Sequence, residues 1–446
     1  MRYFELATDC FLVEGQNEAA LYDVHGGRLF LLDRSAHELL RSCADGAPVP
    51  DNSSEDAVAF LDALQAAGLG FFDDAAAGSD KLLLHQPIEW KGMCMTPPDF
   101  KSVDWQITNA CDLDCRLCGD DDKTLSWQSC QTCLRRDAGG AEAWMPEDLE
   151  AFIADIANLG VGTLHIRGGE PLLAWQRLER IAQAAAETPL TLVVTTTGMG
   201  RPANDLIALG KGRRFGLNIV MFGHDDETSE TACGRSGVLA AQVALIDALV
   251  EAQIAFSITF LLTPLTQGRR NAMQEFAQRR WRTRPAFSEV CTREDVKNGF
   301  RLSHLDERER KPLAPWESPE MFFFRVRNNT CTSGLLEIGA DGLLRTCSGL
   351  PKVHGDVGRQ GLVAALSGTG LYESWKRGKS DVEPCRRCAL RYACSDCSSF
   401  EFADQPDANA KSAYCGYDPC DDTESAIERE WTPTSFVRPL RLRERA

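Results

Sequence analysis

Between positions 105 and 279 the chain alternates short apolar runs with helical patterns, and no other feature limits its fold as tightly. Strands are expected at 105–107, 163–166, 190–195, 217–222 and 254–261. Leu149, Phe152, Ile153, Ile156 and Leu159 recur at helical spacing, with Pro146 at the start and Gly160 as the stop. Further helices are expected at 174–185, 238–250 and 271–279. A strand, a helix and a second strand in succession return parallel through a right-handed crossover. The expectation is an α/β fold around a parallel sheet, with any site at the C-terminal strand edge.

The first strand runs straight into Cys111, Cys115 and Cys118, a C-x3-C-x2-C array. With 18 Cys in 446 residues, such a triplet arises by chance only about 0.03 times in a chain this long. Three thiolates are one short of the four that usually hold a cubane iron–sulfur cluster, which leaves one iron open to a small molecule. A zinc site would prefer four ligands in two close pairs. The second strand of the pattern ends in Gly168, Gly169, Glu170 and Pro171. Glycines there let the backbone approach a ligand closely. Both motifs fall on the same sheet edge.

A formal net charge of −17 argues against a nucleic-acid partner, which needs a basic face. The basic tail at 438–445 is too short to reverse this and reads as solvated. Positions 1–10 carry Arg2, Glu5 and Asp9 and show no targeting signal. No apolar run approaches the roughly 18 residues that span a bilayer. Cysteine richness without a secretion signal points to metal or redox chemistry in a cytoplasmic setting, not to a disulfide scaffold or a membrane.

The two ends differ from the middle. Within 1–80, strands are expected at 11–13, 19–22 and 29–32, with Gly26 and Gly27 turning the chain. Asp33 or Ser35 caps a helix through Leu40. Ser53 or Ser54 caps a second, with Ala57, Phe60, Leu61 and Leu64 on one face and Gly68 closing it. A last strand is expected at 70–72. A proline-bearing linker follows at 81–103. From about Phe322 the chain is cysteine-rich: Cys331, Gly342 and Cys347, then Cys385, Cys388, Cys394, Cys397 and Cys415.

Together these residues resemble the radical S-adenosylmethionine (radical SAM) superfamily. The triad and the Gly-Gly-Glu-Pro run resemble its reactive site. Cys331 through Cys415 resemble the SPASM auxiliary-cluster domain, with one residue fewer before Cys397. The N-terminal pattern resembles the winged-helix leader-peptide-recognition element fused to peptide-modifying members. The resemblance implies a recognition domain at 1–80, a linker at 81–103, a partial (β/α)6 barrel at 104–310 and a SPASM domain at 311–446. It implies that Cys111, Cys115 and Cys118 hold a 4Fe-4S cluster whose open iron takes S-adenosyl-L-methionine. Gly168, Gly169, Glu170 and Pro171 would contact that cofactor, with Glu170 and backbone groups receiving its ammonium. Cys385, Cys388, Cys394 and Cys415 would hold a distal auxiliary 4Fe-4S cluster, and Cys331, Cys347 and Cys397 a nearer one. The nearer cluster's fourth ligand stays open, with Cys420 and Cys291 as candidates.

The activity so implied starts with hydrogen abstraction by a 5′-deoxyadenosyl radical from a ribosomally synthesised precursor peptide. It ends in an oxidative intramolecular crosslink (C–C, C–O or thioether), with the auxiliary clusters as electron acceptors. An external reductant such as flavodoxin or ferredoxin would supply the first electron. The alternatives are sulfatase-maturase-like formylglycine generation, peptide epimerisation, and a non-enzymatic iron–sulfur electron-transfer or scaffold protein. Relatives often carry Ser-x-Asp-Gly at the end of the fourth strand. Here Val220, Met221, Phe222 and Gly223 stand instead, so no ribose contact is carried over. Thr195, Thr196, Asn218 and Thr259 are candidates for cofactor contacts or strand packing, and no side chain is singled out as catalytic. Cys130 and Cys133 read as solvent-facing thiols, Cys10, Cys43, Cys94 and Cys233 as incidental, and His165 as packing near the barrel mouth.

Overall fold

The computed structural model describes residues 2–49, 54–75, 100–115, 127–128, 143–291, 318–394, 397–398, 411, 415, 418–420 and 437–440. Most of the linker, and Cys94, Cys118, Cys130 and Cys133, lie outside them.

The chain opens with β1 (Tyr3–Leu6), followed by β2 (Cys10–Glu14), β3 (Ala19–Asp23) and β4 (Arg28–Leu32). The last three form an antiparallel meander. Gly27, at φ 62°, supplies the left-handed residue of the β3–β4 turn. Of the alternative caps, Asp33 and Ser54 are the ones used. Asp33 accepts from the Ala36 N–H to start α1 (Arg34–Ala44), and Ser54 from the Ala57 N–H to start α2 (Glu55–Ala66). β5 (Gly70–Asp73) returns to pair antiparallel with β1, a partner the sequence pattern did not reveal. β1 is four residues long and buries only Phe4 and Leu6, too short an alternation to stand out.

Both faces of the meander are covered. Leu21, Phe30 and Leu32 pack toward Phe60, Leu61 and Leu64 of α2. Phe11, Tyr22, Leu29 and Leu31 pack the other way, onto Phe322, Phe323, Ala389 and Leu390. This double burial explains why all of β3 is buried.

The middle of the chain runs β6 (Ser102–Gln106), β7 (Trp127–Gln128), α3 (Leu149–Asn158), β8 (Thr163–Arg167), α4 (Trp175–Ala186), β9 (Thr191–Thr196), α5 (Ala203–Gly210), β10 (Phe215–Met221), α6 (Asp226–Cys233), α7 (Val238–Glu251), β11 (Ala255–Leu262), α8 (Arg270–Trp281) and β12 (Ala286–Cys291). β6, β8, β9, β10, β11 and β12 are neighbours in that order and all parallel. Five of these strands were expected. β12 was not, since its sequence AFSEVC mixes apolar and polar residues and gains strand form by pairing with β11. Alternate residues of each strand, such as Trp105, Ile166, Val194, Ile219 and Phe260, enter the main core with the helices. The others line the concave side.

After α9 (Pro319–Arg327), the C-terminal region adds β13 (Leu335–Ile338), parallel to β6, then β14 (Leu343–Arg345) and β15 (Gly355–Asp356) antiparallel. β16 (Val437–Leu440) joins the N-terminal sheet, parallel to β4, with Val437 opposite Leu29. This corrects the expectation of a solvated tail for its described part, 438–440. β4 is otherwise an edge strand whose backbone groups lack partners, and the chain's own end supplies them. Among the described residues, no single helix is long and apolar enough to cross a membrane.

Candidate active site

At the C-terminal edge of the arc, β6 continues into the cysteine-bearing segment alongside the turn that ends β8. Ile107 donates to the Arg167 carbonyl at 3.0 Å, Gly169 to that of Thr108 at 3.0 Å and Glu170 to that of Ala110 at 2.7 Å. The glycines make this approach possible. A Cβ on Gly168 would lie 2.5 Å from the Thr108 oxygen, and one on Gly169 2.4 Å from the Ala110 oxygen. Their steric role here is therefore to seat the cysteine segment.

Cys111 and Cys115 are partly buried against Leu113, Val220, Phe222, Val238 and Leu261. Three side groups outside the motif hold this segment. Arg235 donates to the Asp112 carbonyl at 3.3 Å and to its Oδ2 at 2.8 Å. Gly234, at φ 72°, caps α6 so tightly that a Cβ would meet the Asp114 oxygen at 2.4 Å. Arg177 donates to the carbonyls of Ile107 (3.2 Å) and Ala143 (2.7 Å).

Glu170 departs from expectation. It is fully buried. Its Oε1 accepts from the Leu172 N–H (3.0 Å) and the Thr196 hydroxyl (2.5 Å), and its Oε2 from the Thr197 N–H (2.8 Å) and hydroxyl (2.5 Å). Burial pushes its carboxyl above the usual range, and these bonds pull it back. With four donors from the protein on two oxygens, the carboxylate staples the end of β8 to the end of β9. These four protein donors engage the carboxylate that was expected, together with backbone groups of the turn, to receive a ligand ammonium. Pro171 begins a 3-10 turn over Pro171–Ala174.

The concave side is polar. Asn218 Oδ1 accepts from Ser257 (3.1 Å) and Thr259 (2.8 Å), while its amide donates to Thr195 (3.4 Å). Three of the four polar candidates thus join one ladder across β9, β10 and β11. Thr196 belongs instead to the Glu170 staple. Lower down, Arg167 pairs with Asp104 at 3.0 Å. Burial holds the His165 imidazole below its ordinary range, with Asp104 opposing. Gln242 of α7 is buried and donates to the carbonyls of Thr197 (2.8 Å) and Val220 (2.7 Å), tying two strand ends together. Sequence reading passed over Thr197, Arg177, Arg235 and Gln242. Only Gln242 left a signal, as a polar residue on an apolar helix face.

In the C-terminal region, Cys385 and Cys388 flank one 3-10 turn closed by the Cys388 N–H on the Cys385 carbonyl at 2.9 Å. Cys388 and Cys415 pack against the same apolar cluster, which includes Tyr22 and Phe322. Arg387 donates to the Cys420 sulfur at 3.7 Å, which places Cys420 beside that turn. Cys331 and Cys347 stand before and after the β13–β14 hairpin, whose register pairs Glu337 with Arg345. Cys394 and Cys397 are partly buried. Cys291 ends β12, opposite Trp127. Cys10, Cys43 and Cys233 are buried. Among the described residues, no group of three or more His, Cys, Asp or Glu is arranged to hold a metal ion.

No protein-family model matches the sequence. No curated protein matches it either. Solved structures do match in fold. A structure of Streptococcus suis SuiB bound to the precursor peptide SuiA superposes with a TM-score of 0.52 at 14% identity, covering 94% of this chain and 100% of that one. Native anSMEcpe with bound AdoMet gives 0.51 at 15% identity, covering 70% of this chain and 93% of that one. Native anSMEcpe with AdoMet and the Kp18Cys peptide gives 0.50 at 15%. The chain therefore shares the fold of SuiB and anSMEcpe: a partial α/β barrel of parallel strands with small N-terminal sheets and a cysteine-rich C-terminal region.

Proposed function

We propose that this chain is a radical SAM enzyme that modifies a ribosomally synthesised precursor peptide. The observation that carries the reading is the backbone pairing of 107–110 with 167–170. It brings the cysteine segment and the Gly-Gly-Glu-Pro turn into one structure at the sheet edge where α/β sites form. Cys111, Cys115 and Cys118 are its cluster ligands, with the backbone of the 168–171 turn facing the methionine end of S-adenosylmethionine. The donor chemistry fits: Cys111 and Cys115 are partly buried cysteines against an apolar wall, the setting a low-potential cluster needs. Bound there, the cluster and S-adenosylmethionine supply a 5′-deoxyadenosyl radical. The chain's own residues fix the loop (Arg235, Arg177, Gly234), brace the strand ends (Glu170, Gln242) and present a polar concave wall (Asn218, Thr195, Thr259) to the substrate.

The peptide substrate rests on the end-to-end likeness to SuiB, whose structure holds a precursor peptide, and on the peptide-bound anSMEcpe structure. Residues 1–80 are assigned to leader recognition, 81–103 to the linker, 104–310 to the barrel and 311–446 to auxiliary clusters. Oxidative crosslinking is the favoured outcome, because auxiliary clusters provide an electron sink. The test is anaerobic reconstitution of the full chain, reduction with dithionite or flavodoxin, and incubation with S-adenosylmethionine and a short peptide encoded beside its gene. Formation of 5′-deoxyadenosine and loss of a hydrogen pair from the peptide are expected. No 5′-deoxyadenosine would sink the enzyme class. An unchanged peptide mass with an inverted stereocentre would replace crosslinking by epimerisation, and a formylglycine would replace it by the sulfatase-maturase alternative.

A further inference from the structure

Asn329 is a buried amide in a loop between two regions that carry cysteines. Its Oδ1 accepts from the backbone N–H of Cys331 at 3.0 Å and of Thr332 at 2.9 Å. Its Nδ2 donates to Ser398 Oγ at 3.1 Å, a contact between residues 69 positions apart. Ser398 is buried and directly follows Cys397. Asn329 itself is anchored to the main core, because its N–H donates to the carbonyl of the fully buried Trp375 at 2.8 Å. One side chain therefore ties the backbone of Cys331 to the residue beside Cys397. Cys347 lies two residues beyond β14, which pairs antiparallel with β13.

We infer that Asn329 is a positioning residue that assembles the site of the nearer auxiliary cluster. The inference rests on the reading above that Cys331, Cys347 and Cys397 bind iron and sulfide. The fit is chemical: all three are partly buried cysteines, the donor type an iron–sulfur cluster takes. Lys101 lies over the Phe324 ring at 4.1 Å, within electrostatic reach of Cys331. Without a fixed link, Cys397 and Cys331 would be joined only through long loops, and ordering two such segments around one cluster costs conformational entropy. A buried amide with three satisfied bonds removes that cost in advance, and few substitutes keep all three.

The choice of variants follows from the bonds. Asn329→Leu keeps the volume and loses every side-chain bond. Asn329→Asp keeps an acceptor for both N–H groups and a second oxygen for the Ser398 hydroxyl. Ser398→Ala cuts only the link toward Cys397. The experiment reads iron and sulfide per full-length chain and the electron paramagnetic resonance of the dithionite-reduced protein, alongside Cys331→Ala. Reconstituted wild type should hold about 11–12 irons. Asn329→Leu should lose about four of them and the same resonance that Cys331→Ala loses, while 5′-deoxyadenosine formation persists. Asn329→Asp should restore iron but alter the line shape, and Ser398→Ala should release iron faster to a chelator. Full iron with an unchanged spectrum in Asn329→Leu overturns the inference. If that variant does not fold, unaltered spectra and chelator rates in both Ser398→Ala and Asn329→Asp overturn it equally. A wild type holding about four irons that still cleaves S-adenosylmethionine removes the auxiliary site, and the inference with it, while sparing the reactive-site reading.

Discussion

At the residue scale, the site depends on groups whose chemistry is used up inside the protein. Gly169 is the sharpest case. Its missing Cβ is replaced by the Ala110 carbonyl at 2.4 Å, and backbone cannot yield as a flexible side chain would. Gly169→Ala should cost about 1–3 kcal/mol in urea denaturation and abolish 5′-deoxyadenosine formation. Gly162→Ala, with nothing within 4 Å of the new carbon, should be neutral in both assays, and equal behaviour of the two variants would defeat the close-packing argument. Glu170→Ala should destabilise by about 2–4 kcal/mol, because it strands the N–H groups of Leu172 and Thr197 in a dry interior. Thr196→Val, which removes one donor and leaves three, should cost well under half as much. The staple's geometry would be the wrong explanation if the order were reversed.

At the element scale, the N-terminal meander is one layer of a three-layer stack, not an appendage. Phe322 is fully buried, lies 5.8 Å from the Phe11 ring centroid and 5.4 Å from that of Tyr22. The Tyr22 hydroxyl donates to the Ala389 carbonyl at 2.9 Å. Phe322→Ala should therefore cost about 3–5 kcal/mol and raise amide exchange in β2 and β3 as well as in α9. Exchange confined to α9 would mean that the two layers are held by something else. On the β14–β15 side, burial and Lys352 hold the His354 imidazole down to about 4. Between its ordinary value near 6.5 and that value, only the unfolded chain binds the proton, so stability falls as pH drops through this window and is unaffected above it. The group is only half-buried, and solvent screening trims the effect to about 1–2 kcal/mol. His354→Gln should flatten that part of the stability–pH curve relative to wild type.

At the scale of the whole molecule, β16 brings the end of the chain to its beginning. Its parallel pairing with β4 covers an edge that would otherwise offer backbone groups to any extended peptide. Deleting 431–446 should speed hydrogen–deuterium exchange at Leu29, Leu31 and neighbouring amides of β4 while leaving β8 and β9 unchanged. Unaltered exchange in β4 would mean that the strand does not guard that edge in solution.

Much of this could be read from the sequence, and the divide has a physical cause. Strand and helix periodicity, the Asp33 and Ser54 caps and the glycine stops are local properties, set by the spacing of residues near one another. They sufficed for five of the six parallel strands and for the sheet edge on which Cys111 and Gly168 stand. The strands that escaped notice, β1, β12 and β16 among them, are short or mixed in pattern. They take strand form because a partner strand is waiting, which is decided by contacts distant in sequence. The same holds for single residues. Glu170 looked like a ligand contact because its motif is local, yet Thr196 and Thr197 on the next strand claim its carboxylate. Arg177, Arg235 and Asn329 carry no motif that reveals their distant partners, which lie 70, 123 and 69 positions away. Sequence alone determined the kind of fold and where the cysteine motifs fall along it. Tertiary structure alone decided which side chains hold those motifs in place, because hydrogen bonds between distant segments leave no period in the chain to read.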